Sequence, residues 1–185
     1  MDPVMIPLLD PIATGVVVER CSIGVVGSRR EAEKAAVSAL ACRVAGGNAV
    51  IGHDADGAPF ICGYDGWVSV SHSRVMAFIA VHPSLRIGID AELPREKLLR
   101  VASRFLAPCE LPDWKTPEAL LRAWTIKEAV YKAAGQPGLA LADIRLPHPC
   151  IGSGIPCAGI PDGRRFALYR IDEGIHAVTV AVPAG

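Results

Sequence analysis

The stretch from Leu120 to Ala134 constrains the fold of this chain more than any other. Leu120, Leu121, Ala123, Trp124, Ile126, Ala129, Val130 and Ala133 are apolar nearly all the way round a helix. A helix of that kind is normally buried, so the rest of the fold must wrap around it. The same stretch holds Lys127, Glu128 and Lys132. At helical rotation, Trp124, Glu128 and Tyr131 fall within an arc of about 60°. A carboxylate grouped with aromatics on a buried helix needs a cation or a proton, which makes Glu128 a candidate for chemistry. On spacing alone, Glu128 and Lys132 also read as an i, i+4 surface ion pair worth about 0.2–0.5 kcal/mol.

The chain has 185 residues, enough for one domain or for two small subdomains sharing a core. Hydrophobic content of 51% and a mean hydropathy of +0.33 exclude a disordered chain. The formal net charge is zero, so no general attraction to nucleic acid or anionic membrane is expected. The first residues lack a basic, then apolar, secretory pattern. No apolar run approaches the roughly 18 residues of a membrane span. The expectation is a cytoplasmic protein. Cys21, Cys42, Cys62, Cys109, Cys150 and Cys157 are scattered without a C-x-x-C pair, and read as reduced thiols.

The order of elements predicts an α+β fold. Residues 16–26 read as a strand. Ser28 caps a helix over 29–45, which Gly46 and Gly47 stop. Turns surround one or two short strands in 48–66. Residues 67–71 and 76–82 form a hairpin about Ser73 and Arg74, and 85–91 a third strand. Helices follow over 95–106 and 117–134, the second ending at Gly135. Strands near 143–146, 165–171 and 175–182 complete the chain, with 147–163 as an exposed loop. The two halves read as subdomains, 1–84 and 85–185.

Several clusters carry chemical potential. In Gly88-Ile89-Asp90-Ala91-Glu92, strand alternation puts both acids on one face, where they could share a hard cation such as Mg²⁺ or simply face water. Gly88 leaves room for a ligand to approach the backbone. Ser71, His72 and Ser73 at a strand end could donate to phosphate oxygens, or serve the turn. Ser71 and His72 do not form a catalytic pair, since adjacent strand side chains point apart. Arg29 and Arg30 at a helix start oppose its dipole, which suggests another task such as holding phosphate. Lys97, Arg100 and Arg104, beside Arg95, make a basic stripe that is either a solvated face or a docking surface for an acidic helix.

Taken together and in order, these motifs resemble the 4′-phosphopantetheinyl transferase superfamily, in its larger, two-subdomain type. Ser71-His72-Ser73 resembles the first core motif. Gly88-Ile89-Asp90-Ala91-Glu92 resembles G-[IV]-D-x-E. Trp124 through Gly135 resembles W-x-x-K-E-x-x-x-K-x-x-G. Phe105 to Glu110 is similar to an intervening segment, and Gly57-Ala58-Pro59 to a G-K-P turn. The resemblance implies two similar α+β subdomains in a pseudo-two-fold monomer, with the active site in the cleft between them. It implies transfer of the phosphopantetheine arm of coenzyme A to a serine of an acyl or peptidyl carrier protein. Asp90, Glu92 and Glu128 would hold Mg²⁺ or Mn²⁺, and Glu128 would take the serine proton. Lys132 would meet phosphate charge, and His72 would bind a phosphate of coenzyme A. Lys127 would be structural or bind phosphate. Arg95, Lys97, Arg100 and Arg104 would orient the carrier.

Ala58 departs from the pattern by removing a cation, for which Arg29, Arg30 or Arg43 could compensate. Two rival functions are a module that binds coenzyme A or a carrier without transfer, and a Mg²⁺-dependent pyrophosphate hydrolase. The full set of Asp90, Glu92, Glu128 and Lys132 argues against the first. The absence of denser acidic motifs argues against the second.

Overall fold

The computed structural model describes residues 6–25, 27–147 and 155–185, with the backbone alone at 172 and 173. Val26 and Cys150 lie outside the described residues. The described elements, in chain order, are α1 (Pro11–Thr14), β1 (Val17–Ser22), α2 (Arg29–Ala45), β2 (Ile51–His53), β3 (Pro59–Ile61), β4 (Trp67–His72), β5 (Met76–His82), β6 (Gly88–Glu92), α3 (Lys97–Phe105), α4 (Pro117–Ala134), a 3₁₀ turn (Leu141–Asp143), β7 (Cys157–Gly159), β8 (Arg165–Glu173) and β9 (His176–Pro183). The α+β expectation holds.

Local chemistry explains the helix ends. Ser28 and Glu31 form a reciprocal capping box on α2, satisfying two donors that the helix cannot. Thr116 caps α4 by accepting from the Ala119 amide, Pro117 takes the first turn, and Gly135 ends the helix in the left-handed region at φ +54°.

Two antiparallel sheets carry the strands, ordered β1-β5-β4 and β6-β9-β8-β7, with a separate β2-β3 hairpin. They meet at the edge strands β4 and β6. Serine side chains bridge that seam: Ser69 Oγ accepts from the Ile89 amide at 3.0 Å, and Ser71 Oγ from the Ala91 amide at 3.1 Å. One apolar cluster joins the sheets through Val16, Phe78 and Ala80 on one side and Ile87, Ile89 and Val180 on the other. Near the N-terminus, the chain crosses to the second sheet, where the Leu9 amide donates to the Arg170 carbonyl.

Helix α4 packs across β6 and β9. Its close approach to β6 requires Gly88, whose Cβ would be driven into the Ala129 carbonyl. Gly88 therefore serves helix packing, which corrects the expectation of ligand access. Other boundaries also shift. β1 stops at Ser22. β6 begins three residues later than expected, because the Ser84 and Leu85 amides turn in to donate to His82 Nδ1. Helix α3 spans nine residues. The strand expected near 143–146 is a 3₁₀ turn followed by a single bridge from Arg145 to Gly159. Part of the expected exposed loop is β7, with Ala158 and Ile160 buried.

Candidate active site

The acids of β6 face α4. Gly88, Asp90 and Glu92 alternate with Ile87, Ile89 and Ala91, and the latter three enter the shared core. Asp90 is buried, at 6% exposure. Its Oδ1 accepts from Ser71 Oγ at 3.0 Å and from Lys132 Nζ at 2.8 Å. Lys132 Nζ also reaches the Ile89 carbonyl at 2.9 Å. The i, i+4 partner expected for Lys132 was Glu128; the structure gives it Asp90.

Two carboxylate oxygens in this cluster are buried without a hydrogen-bond donor, Asp90 Oδ2 and Glu92 Oε2. Arg95 Nη2 stands 2.5 Å from Glu92 Oε2, an ion-pair distance without hydrogen-bond alignment. Orphaned buried acceptors are costly. The electrostatics follow. Burial pushes the Glu92 carboxyl up to about 6; Arg95 opposes the rise, and the Asp90 charge adds to it. Burial raises Glu128 as well, followed by repulsion from Asp90, with Lys132 opposing. Glu92 and Glu128 thus each sense the Asp90 charge, with Lys132 opposing at both. That environment suits a divalent cation, by the chemistry of the donors and by the two bare oxygens. Among the described residues, no three such side chains are already gathered into a metal-binding group.

Beside the acids opens a cleft of about 1460 Å³, lined from α2, the β2-β3 hairpin, β4 and the end of α4. Arg30, Lys34, Arg86 and Lys132 line it together with His72, and so do Glu33, Asp54, Asp56 and Asp65. Gly57, Ala58 and Pro59 line it too. The motif Ser71-His72-Ser73 splits three ways. Ser71 turns to Asp90. His72 Nδ1 lies 3.7 Å from Glu33 on α2 and borders the cleft. Ser73, at 2% exposure, closes the turn to Met76 and meets His176 Nε2 at 2.9 Å.

Two expected phosphate contacts are therefore corrected. Ser71 spends its hydroxyl proton on Asp90 and is 7% exposed; it positions an acid. Lys127 has no exposure at all. Its Nζ donates to Glu110 Oε2 at 2.7 Å, the Ile144 carbonyl at 2.6 Å and the Leu141 carbonyl at 3.2 Å. Burial lowers its pKa, and the bond and charge of Glu110 oppose that shift. Lys127 is structural, the alternative the motif had left open. Arg29 pairs with Glu33 at 2.7 Å and is not among the cleft residues, whereas Arg30 is. Arg43 donates to the Arg20 carbonyl at 3.1 Å, also outside the cleft.

Lys97, Arg100 and Arg104 are exposed on α3. With Arg95, Lys97 and Arg104 rim a groove of about 370 Å³ floored by Leu98, Val101, Phe105 and Trp124. Phe105 and Trp124 meet edge to face, with centroids 5.2 Å apart. Tyr131 is 41% exposed and borders the large cleft. Sequence reasoning missed Lys34 and Arg86. Lys34 was legible as the i+4 neighbour of Arg30; nothing local marked Arg86.

Residues 86–168 match the family model described as 4′-phosphopantetheinyl transferase superfamily. The chain is similar to the 4′-phosphopantetheinyl transferase HetI of Nostoc sp. strain PCC 7120, at 37% identity over 86 residues, covering 42% of this chain and 36% of that protein. It is also similar to slr0495 of Synechocystis sp. strain PCC 6803, named as a candidate 4′-phosphopantetheinyl transferase, at 35% identity over 78 residues, covering 38% of this chain and 32% of that protein. The matched stretch thus spans about a third of each relative. Residues 86–168 contain β6, α3 and α4, the elements that carry Asp90, Glu92, Glu128 and Lys132.

Proposed function

We propose, from the match of residues 86–168 to the 4′-phosphopantetheinyl transferase superfamily, that the chain transfers the 4′-phosphopantetheine arm of coenzyme A to a serine of an apo acyl or peptidyl carrier protein. Adenosine 3′,5′-bisphosphate leaves. The observation that carries this reading is an acid cluster, in which Asp90 Oδ2 is buried without a hydrogen-bond donor, beside a cleft to which Arg30, Lys34, Arg86 and Lys132 contribute. The cleft, at about 1460 Å³, would receive the nucleotide, with its pyrophosphate toward the acids.

The serine oxygen would attack the phosphorus that bears the pantetheine arm, and the bond from that phosphorus to the bridging oxygen would break. Glu128 would accept the serine proton; burial and the Asp90 charge have already raised its basicity. Lys132, now on Asp90 Oδ1, has the reach of a flexible ammonium to follow phosphate charge. Ser71 would keep Asp90 oriented. A divalent cation, Mg²⁺ or Mn²⁺, would be held by Asp90, Glu92 and Glu128 and would neutralise charge on the pyrophosphate.

In this reading the cleft runs between subdomains 1–84 and 85–185, in a pseudo-two-fold monomer acting in the cytoplasm. Among the described residues no helix is long and apolar enough to cross a membrane. The basic rim of α3, Arg95, Lys97, Arg100 and Arg104, would receive the carrier.

The test is incubation with coenzyme A, Mg²⁺ and an apo carrier, read by intact mass. The carrier should gain one phosphopantetheine, and Glu128→Gln should abolish the gain without unfolding the protein. The Lys132–Asp90 pair, standing where a cation would act, favours one alternative: a module that binds coenzyme A or a carrier without transfer. Saturable coenzyme A binding with no mass gain on several carriers would select it.

A further inference from the structure

One cation in the cleft is seated by the fold yet has no counter-charge among the described residues. Arg86 lies in the turn between β5 and β6, half-buried. Its guanidinium sits over the Trp67 ring, 5.3 Å from the centroid. Its Nε donates to the Lys132 carbonyl at 3.3 Å. It also fills the space beside Gly135, where a Cβ would overlap the guanidinium carbon. Three elements thus fix one arginine: an aromatic on β4, a carbonyl in the last turn of α4, and the glycine that ends α4.

Holding an arginine in one rotamer costs side-chain entropy. An ion pair would commonly offset that cost, but no carboxylate within salt-bridge range of Arg86 is found among the described residues. Of its N–H groups, only Nε–H has an acceptor among them; the Nη groups remain. They belong to a planar fork suited to phosphate, and the side chain borders the cleft.

Direction narrows the ligand. Lys132 sends its ammonium to Asp90 and offers its carbonyl to Arg86. The two cations are therefore held apart, the ammonium on Asp90 and the guanidinium over Trp67 and against Gly135 at the end of α4. We propose that Arg86 binds a phosphate monoester of the cleft ligand, remote from the acids. This deepens the reading above: with the pyrophosphate of coenzyme A at the acids, the monoester is its 3′-phosphate. Arg86 then supplies from β6's entry turn a cation that Ala58, on the same cleft, lacks.

The test is calorimetric titration of coenzyme A and of 3′-dephospho-coenzyme A into the whole chain. A charge-assisted arginine–phosphate contact predicts that the wild-type protein prefers coenzyme A by about 10- to 100-fold. Arg86→Met should bring the two ligands within about threefold of each other and leave 3′-dephospho-coenzyme A binding as it was. Gly135→Asn should do the same, because asparagine tolerates the left-handed cap while its Cβ displaces the guanidinium. Far-UV circular dichroism checks that both variants fold. A wild-type protein that binds neither ligand, or that does not discriminate, overturns the proposal. So does discrimination that survives Arg86→Met. Carrier modification is scored separately. Arg86-dependent discrimination without any transfer leaves this inference standing and sinks the transferase reading.

Discussion

Replacing Lys127 by methionine should cost the protein about 3–5 kcal/mol, because the change leaves a buried charge without its partner. Lys127 Nζ has no exposure and three acceptors: Glu110 Oε2, the Leu141 carbonyl and the Ile144 carbonyl. Methionine fills most of the volume but donates nothing. Glu110 would keep the Ala107 and Leu146 amides, at 2.9 and 2.8 Å, so its oxygens are not stripped bare. Its charge, however, would be uncompensated. The two carbonyls would each lose a donor, at about 1 kcal/mol or more apiece. For a chain of this size, about 2–4 °C per kcal/mol converts the total to a fall in Tm of about 6–20 °C. Urea unfolding followed by far-UV circular dichroism measures it. The double variant with Glu110→Gln removes the stranded charge and should recover at least about 1.5 kcal/mol relative to Lys127→Met alone. Coenzyme A binding by the folded single variant should be unchanged. A loss below about 1 kcal/mol together with much weaker coenzyme A binding would refute the structural role and return Lys127 to the phosphate.

Glu92 sets a pH dependence. Its folded carboxyl is raised from 4.5 to about 6, so the unfolded chain releases this proton first and stability falls as pH rises from about 4.5 to 6. Glu92→Gln should flatten that slope by about 1 kcal/mol after solvent screening, read as urea midpoints at pH 4.5 and 7.5. At pH 7.5, Mg²⁺ should raise the Tm of the wild-type protein and raise that of Glu92→Gln less; equal shifts count against Glu92 as a ligand. Gly88→Ala drives a methyl into the Ala129 carbonyl and to 2.8 Å from the Ala133 amide nitrogen. It should cost about 2 kcal/mol or more in urea unfolding, and an unperturbed midpoint would contradict the packing argument. Reversing charge at Arg100 and Arg104 should raise the KM for an acidic carrier and leave the KM for coenzyme A alone; an unmoved carrier KM removes α3 from the docking surface.

The parts of this fold that were legible in the sequence are those fixed by neighbours in the chain. Helix α2 runs from the Ser28 cap to Gly46, and α4 from the Thr116 cap to Gly135, because capping side chains and left-handed glycines act within one turn. Strand β5 was equally plain, flanked by a tight turn and His82. What failed depends on partners far along the chain. β7 has no pattern of its own and exists by pairing with β8. The delayed start of β6 depends on an imidazole accepting two amides. In the site, Asp90, Glu92 and Glu128 could be grouped by motif, since strand and helix periodicity fix which face each takes. The aim of a polar side chain cannot be read that way. Lys127 and Lys132 are five residues apart on one helix, yet one enters the core and the other reaches the acids. The difference lies in Glu110 and Asp90, neither of which is local to the helix.

The seam between the sheets explains why Asp90 is the centre of this site. β4 and β6 come together at the edges of separate sheets, and serine hydroxyls take the place of ladder bonds there. A backbone ladder would have used the Ala91 amide and left nothing aimed at the acid. Ser71 accepts from that amide and so must send its own proton elsewhere; Asp90 Oδ1 is 3.0 Å away. Lys132 meets the same oxygen from α4. Both donors therefore fall on Oδ1, and Oδ2 is left without one. The seam holds Asp90 by one oxygen and leaves the other buried without a donor, an arrangement that suits a cation better than a finished salt bridge would. The first half of the chain thus contributes to the acid cluster without supplying an acid, through one hydroxyl that decides which oxygen stays free.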